Sequence, residues 1–161
     1  MRHSVGLGLA SSAVAAALVL AVSASGAEDD EAIIGYRQKV MSANGASMGA
    51  IGDILKFKLP YEKDIAGHAR AMSITAKMIP SAFEKPVSAG KTDAKPEIWK
   101  EWDDFKKDAA KFAEASDKLA KVAEGADSKA IMAQVKEVGN ACQHCHEEFR
   151  KPKEESYKRK M

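Results

Sequence analysis

Near its C-terminus the chain reads Cys142-Gln143-His144-Cys145-His146, and these are the residues whose types and spacing can do chemistry. On a helix, side chains three or four positions apart lie one above the other. The two thiols therefore share a face, and His146, four positions after Cys142, shares it with them. This is the C-x-x-C-H signature of c-type haem attachment. The thiols form thioether bonds along one edge of the porphyrin, and the imidazole of His146 reaches the iron as the proximal axial ligand. His144 points to a different side. Three rival chemistries fit less well. A zinc centre needs about four ligands, and the chain has only 2 Cys. A thioredoxin-like redox pair belongs in a βαβ context. A disulfide within a helical C-x-x-C would be strained and would leave His146 without a role. The expected cofactor is one covalent haem c with its iron.

Such a group needs a scaffold, and the sequence predicts helices. Four stretches with helical periodicity are separated by Pro or Gly. In the first, from about Asp30 to Lys58, Ile34, Met41, Met48 and Leu55 recur every seven residues, flanked by Arg37, Val40, Asn44 and Ile51. Gly35, Gly45, Gly49 and Gly52 weaken this helix. They either let something flat approach the backbone or serve close helix packing. The second stretch opens at Pro60-Tyr61 and carries Ile65, Ala69, Met72, Ala76 and Ile79. Pro80 is expected to end it, with a loop over residues 81–95. The third opens at Pro96 and follows a heptad seam through Ile98, Trp102, Phe105, Ala109, Phe112, Ser116, Leu119 and Ala123. Its charged run, Asp108 included, is expected on the outer face. Asp127 is a favourable N-cap for the fourth, whose stripe is Ile131, Val135, Val138, Cys142, Cys145 and Phe149. The expected fold class is all-α: an antiparallel four-helix bundle with the haem directed into its core.

The N-terminus reads as an export leader. Arg2 and His3 precede an uncharged, Ala/Leu/Val-rich segment from Val5 to Val22, and Ser25-Gly26-Ala27 offers small residues for cleavage. Cleavage is expected after Ala27, with Ala24 the other candidate. An uncleaved anchor is the alternative, disfavoured because Ala, Gly and Ser dilute the segment's hydrophobicity. This gives a signal peptide over 1–27 and one domain over 28–161, located in the periplasm with no membrane attachment after cleavage. The leader carries one of the 25 basic residues and none of the 23 acidic ones, so the mature chain is close to neutral. No basic patch points to a nucleic-acid partner. The basic tail from Lys151 to Lys160 reads as a solvated end or a weak docking site for an acidic redox partner. Neither a nucleophile–base pairing nor a phosphate loop appears, so no catalysis is expected.

Several further segments carry a resemblance. These are Tyr36 to Met41, Met48-Gly49-Ala50-Ile51, Pro60-Tyr61, Lys95 to Trp99, Gly139, and Cys142 to His146 followed by Phe149-Arg150. Together and in this order, with the haem motif at the C-terminal end, the chain resembles the class II cytochromes c, which include cytochrome c prime. The resemblance implies the bundle, one haem c, a periplasmic location, and dimerisation through the first two helices. It also implies a choice between two branches. In one, a first-helix Met binds the iron and the protein is a low-spin electron carrier. In the other, the iron is five-coordinate and high-spin and binds nitric oxide or other small gases. The distal position corresponds to Met41, and Met41-Ser42-Ala43-Asn44-Gly45 looks more like the low-spin branch. The expectation is therefore a His146/Met41-ligated electron carrier exchanging electrons with periplasmic redox proteins, with gas binding as the alternative and Met48 as the second thioether. Arg37 is expected near a haem propionate, and Arg150 beside the proximal imidazole. His68 is expected at the surface or partly buried, and Trp99 and Trp102 in the core.

Overall fold

The computed structural model of the chain describes residues 15–125 and 127–159. The basic n-region and the following part of the expected leader lie outside the described residues, while the backbone from Ala15 onward belongs to the first helix. Among the described residues, no helix is long and apolar enough to cross a membrane.

Four long helices carry the fold. Helix α1 spans Ala15–Phe57, α2 Ile65–Lys77, α5 Trp102–Ala123 and α6 Ser128–Phe149, with two short helices, α3 (Ile79–Phe83) and α4 (Glu97–Lys100), between α2 and α5. They form the antiparallel bundle expected from the four periodic stretches. Helix α1 packs on α2, α2 on α5 and α5 on α6, whereas α1 and α6 are the flank with little direct packing.

Local chemistry sets the ends of these helices. Lys58 takes a left-handed φ of 52°, and the amide of Leu59 donates to the Ile54 carbonyl at 3.0 Å. This is the six-to-one closure of a Schellman motif, formed here without glycine. Asp127 caps α6 as expected: its Oδ1 accepts the Ala130 amide at 2.9 Å. Pro80 behaves differently from expectation. It sits in the first turn of α3 rather than ending the second helix, because the first turn needs no amide donor. The break falls two residues earlier, at Met78, and a second break at Glu101 separates α4 from α5.

The buried face of α1 also departs from the seven-residue stripe. Ile34 is buried, but further along the burial moves to Val40, Ile51 and Ile54, leaving Met41, Met48 and Leu55 half-buried at the edge of the core. The buried Arg37, Val40, Asn44, Ile51 and Ile54 all lie to one side of that stripe, so the core face of α1 is centred beside the seven-residue line rather than on it. On α2 and α5 the expected stripes are the core, with Ile65, Met72, Phe105 and Leu119 almost fully buried.

Phe105 is the hub at the haem-motif end of the bundle. Its ring centroid lies 5.3 Å from Phe83, 5.5 Å from Trp102 and 5.3 Å from Phe149, the last edge-on. These contacts join α3, α5 and the last turn of α6. Phe105→Ala is expected to destabilise the haem-loaded protein by about 3–5 kcal/mol, measured by chemical denaturation. A loss below about 1 kcal/mol would mean that this cluster does not anchor the end of α6.

Candidate haem site

The last turns of α6 present the motif residues on two sides. Cys142 and Cys145 are half-buried against the hydrophobic core, and both thiols are free. Gln143, His144 and His146 are exposed, and Phe149 is buried. Desolvation raises the pKa of Cys142. Burial, reinforced by the Asp108 carboxylate and by Cys142, pushes Cys145 up to about 12. Both sulfurs are thus held as neutral thiols facing apolar surface. A thiol–disulfide centre needs the reverse, a thiol whose pKa is lowered. Although the imidazole of His146 has an exposed side, desolvation, followed by the nearby Arg150 guanidinium, lowers its pKa. This favours the neutral ring that can bind a metal.

Across from α6, the half-buried side chains of Met41, Met48 and Leu55 form the edge of α1. A Cβ on Gly139 of α6 would come within 3.9 Å of the Met48 methyl carbon, so Gly139 is where the two helices approach. The glycines of α1 are not used for helix packing within the subunit: a Cβ at Gly45, Gly49 or Gly52 would meet nothing within 4 Å. The site residues fit a haem c. Two neutral thiols and an imidazole lie in the last two turns of α6, and the loosely packed α1–α6 flank is bordered by half-buried thioether and aliphatic groups that a flat apolar ring would cover.

Two charged residues take places that differ from expectation. Arg37 is 2% exposed. Its Nε donates to the Ala82 carbonyl at 2.9 Å, Nη1 to Val87 at 2.6 Å, and Nη2 to the Lys85 carbonyl. The guanidinium carbon also lies 4.9 Å from the Phe83 ring centroid and 5.2 Å from that of Trp99. The donors expected to face a propionate are thus engaged by a loop and its aromatic neighbours. Burial lowers the Arg37 pKa, and Asp30 opposes that shift. Asp108, expected on the outer face of its helix, is buried. One oxygen pairs with Lys111 Nζ at 2.9 Å and the other lies 3.5 Å from His144 Nε2. It follows Phe105 by three positions, so a helical turn carries it back to the core face. His68 is partly exposed. Trp99 is half-buried and donates to the Phe83 carbonyl at 2.7 Å.

The C-terminal tail is ordered structure. Asp93 holds it in place: Oδ2 accepts the Ser156 hydroxyl at 3.0 Å, Oδ1 accepts the Tyr157 amide at 3.0 Å, and the Asp93 carbonyl accepts the Lys151 amide at 2.8 Å. Ala94 and Arg150 form an antiparallel bridge. The tail is therefore ordered beside the haem motif rather than a loose solvated end.

The family described as Cytochrome C' matches residues 32–150. Cytochrome c' of Rhodospirillum rubrum is 38% identical over 125 residues, covering 77% of this chain and 85% of that protein. Cytochrome c' of Pararhodospirillum photometricum is 36% identical over 121 residues, covering 74% and 97%. A ferrous variant of cytochrome c prime from Alcaligenes xylosoxidans with bound NO superposes with a TM-score of 0.68 at 27% identity, covering 77% of this chain and 97% of that one. These matches correct the branch assigned from the sequence. They point to the high-spin, five-coordinate, gas-binding branch, not to a low-spin electron carrier ligated by His146 and Met41. Met41 is instead a packing residue at the edge of the core, a common use of this adaptable side chain.

The Arg37 clamp generates a prediction. Arg37→Lys keeps the charge but cannot satisfy three diverging carbonyls, and should cost about 3 kcal/mol in denaturant midpoint analysis. Unchanged stability would show that the loop is held by other contacts.

Proposed function

Because the chain belongs to the cytochrome c' family, we propose that it is a five-coordinate, high-spin haem c protein that binds nitric oxide or a similar small gas. Haem proteins of this family are not enzymes and are typically periplasmic, and they carry one covalent haem c. In this chain Cys142 and Cys145 would hold that haem through thioether bonds, and His146 would be its one axial ligand. When bound, the group supplies an iron with an open position for a diatomic gas. The chain's own residues set the surroundings of that position. Met41 and Met48 offer half-buried apolar surface at the α1 edge, which would exclude water without offering a charged donor to a bound ligand. Phe149, locked against Phe105, fixes the helix that bears all three attachment residues.

The observation that carries this reading is the pairing of an apolar α1 edge with a half-buried Cys142/Cys145 face, in a fold shared with an NO-bound relative. Further parts of the reading rest on the sequence. Residues 1–27 would be a leader removed on export. Two copies would pair through the first two helices, where the glycines of α1 have open space and Ile74 of α2 and Met78 just beyond it are 58% and 41% exposed.

The visible spectrum of the purified protein tests the spin state. The reduced protein should be high-spin and shift readily with carbon monoxide or nitric oxide, and Met41→Leu should leave the spectrum high-spin. Sharp, split low-spin bands that are insensitive to carbon monoxide would overturn the proposal. Attachment has its own test. A Cys142→Ala/Cys145→Ala double variant should lose all its haem on denaturing gel electrophoresis, where the parent keeps its haem stain. Haem that stays with the variant would mean that the thiols do not hold it.

A further inference from the structure

We propose that the cleft at the C-terminal end of α6 is a docking site for the carboxylate-rich face of a partner protein. The cleft is open, with a volume of about 530 Å³, and Lys95, Arg150, Lys151 and Lys153 line it around His146 and Glu147. Four cationic side chains thus face a single carboxylate, in a chain whose formal net charge is only +2. The tail carboxylates Glu154 and Glu155 are not among the lining residues.

The charge in this cleft is barely compensated. Lys95 Nζ is bonded to the Glu147 and Glu148 carbonyls at 2.9 and 3.0 Å, and Lys151 Nζ to the Thr92 carbonyl at 3.1 Å. Neutral acceptors orient an ammonium group but leave its charge in place. Arg150 lies 3.5 Å from Asp93, whose oxygens already serve Ser156 and Tyr157. Among the described residues, Lys95, Lys151 and Lys153 form no ion pair. Some lysines elsewhere have carboxylate partners, as in Lys77–Asp117, Lys100–Glu97 and Lys106–Asp103; what sets the cleft apart is that its cations are gathered around one carboxylate.

The layout suits a protein face better than a small anion. The cations come from three segments, the loop before α4, the end of α6 and the tail, and they ring an open cleft rather than converge on one buried point. An open ring of like charge is the arrangement that steers and orients a complementary surface. Asp93 already orders the tail, so docking need not pay to immobilise it. Lys151 and Lys153 also lie beyond residues 32–150, the span matched by the family, so this half of the ring belongs to the chain's own C-terminal segment. Use of the surface for electron exchange rests on the reading of His146 as axial ligand; its capacity to bind does not.

The test is fluorescence anisotropy of a dye-labelled polyglutamate peptide titrated with purified holoprotein at low salt. Lys151→Glu/Lys153→Glu should weaken binding about tenfold or more. Lys153→Glu alone, whose side chain makes none of the tail's hydrogen bonds, should weaken it about threefold, and covers the case in which the double variant fails to fold. Lys118→Glu/Lys121→Glu makes the same change in net charge about 20 Å along α5 from Phe105, and should change affinity less than about twofold. Equal losses in the two double variants, or no loss in the cleft variants, would overturn the proposal. So would displacement of the peptide by inorganic phosphate far beyond that by chloride at matched ionic strength, which would identify a small-oxyanion site instead. The visible spectrum of the same samples reports the coordination of His146 separately, so a failure of the functional reading is distinguishable from a failure of docking.

Discussion

The edge-on contact of Phe149 with Phe105 is the constraint from which the site follows. The three residues that would attach and ligate the haem are on one helix, so their positions are fixed only as well as the last turn of that helix is fixed. Helix ends fray when nothing covers them. Here Phe149 is buried in an aromatic cluster shared with α3 and α5. Just beyond it, the Phe149 carbonyl accepts the Lys95 amide at 3.0 Å, and Lys95 Nζ caps two further carbonyls of the final turn. With Phe149 inward, helical geometry turns Cys142 and Cys145 toward the core edge and leaves His146 at the surface. Both sides of the motif are therefore consequences of one packing decision.

The opposite wall is held by a different device. Arg37 buries a guanidinium and spends its donors on the carbonyls of residues 82, 85 and 87. A buried charge is costly unless it is well bonded. This one also sits beside the rings of Phe83 and Trp99, and Phe83 touches Phe105. A continuous path of packed groups thus runs from α1 through the loop to the end of α6. The two faces that would enclose the haem are tied to each other at one end of the bundle, while the flank between them stays loosely packed. The scaffold is rigid where it must register the two walls and open where the cofactor would lie.

Much of this was legible in the residues because the signals were local. The Asp127 cap and the stripes on α2 and α5 depend on neighbours within a few turns and appear in the structure where the pattern put them, as do the two half-buried thiols, whereas His146, expected on their face, is exposed. What was not legible depended on distant partners. Asp108 reads as part of a charged run until His144, on another helix, is seen beside it. The tail reads as a solvated end until Asp93, more than fifty residues earlier in the chain, is seen to accept its hydrogen bonds. The core face of α1 lies beside its seven-residue stripe, because burial falls on Val40, Ile51 and Ile54, which border that stripe.

The branch of the family was the hardest property to read, and the reason is chemical. A methionine at the right place on α1 is needed for thioether ligation but does not secure it. The same side chain packs well against apolar neighbours, and binding an iron requires the sulfur to be presented at bonding distance by the helix that carries it. Helix α1 turns its core face toward α2 through Val40, Ile51 and Ile54, which leaves Met41 as an edge residue rather than a group driven into the site. The rotation of a helix, set by which of its residues win burial, decides how its thioether is presented. Such a rotation is a property of the whole bundle and leaves no mark on the five residues around Met41.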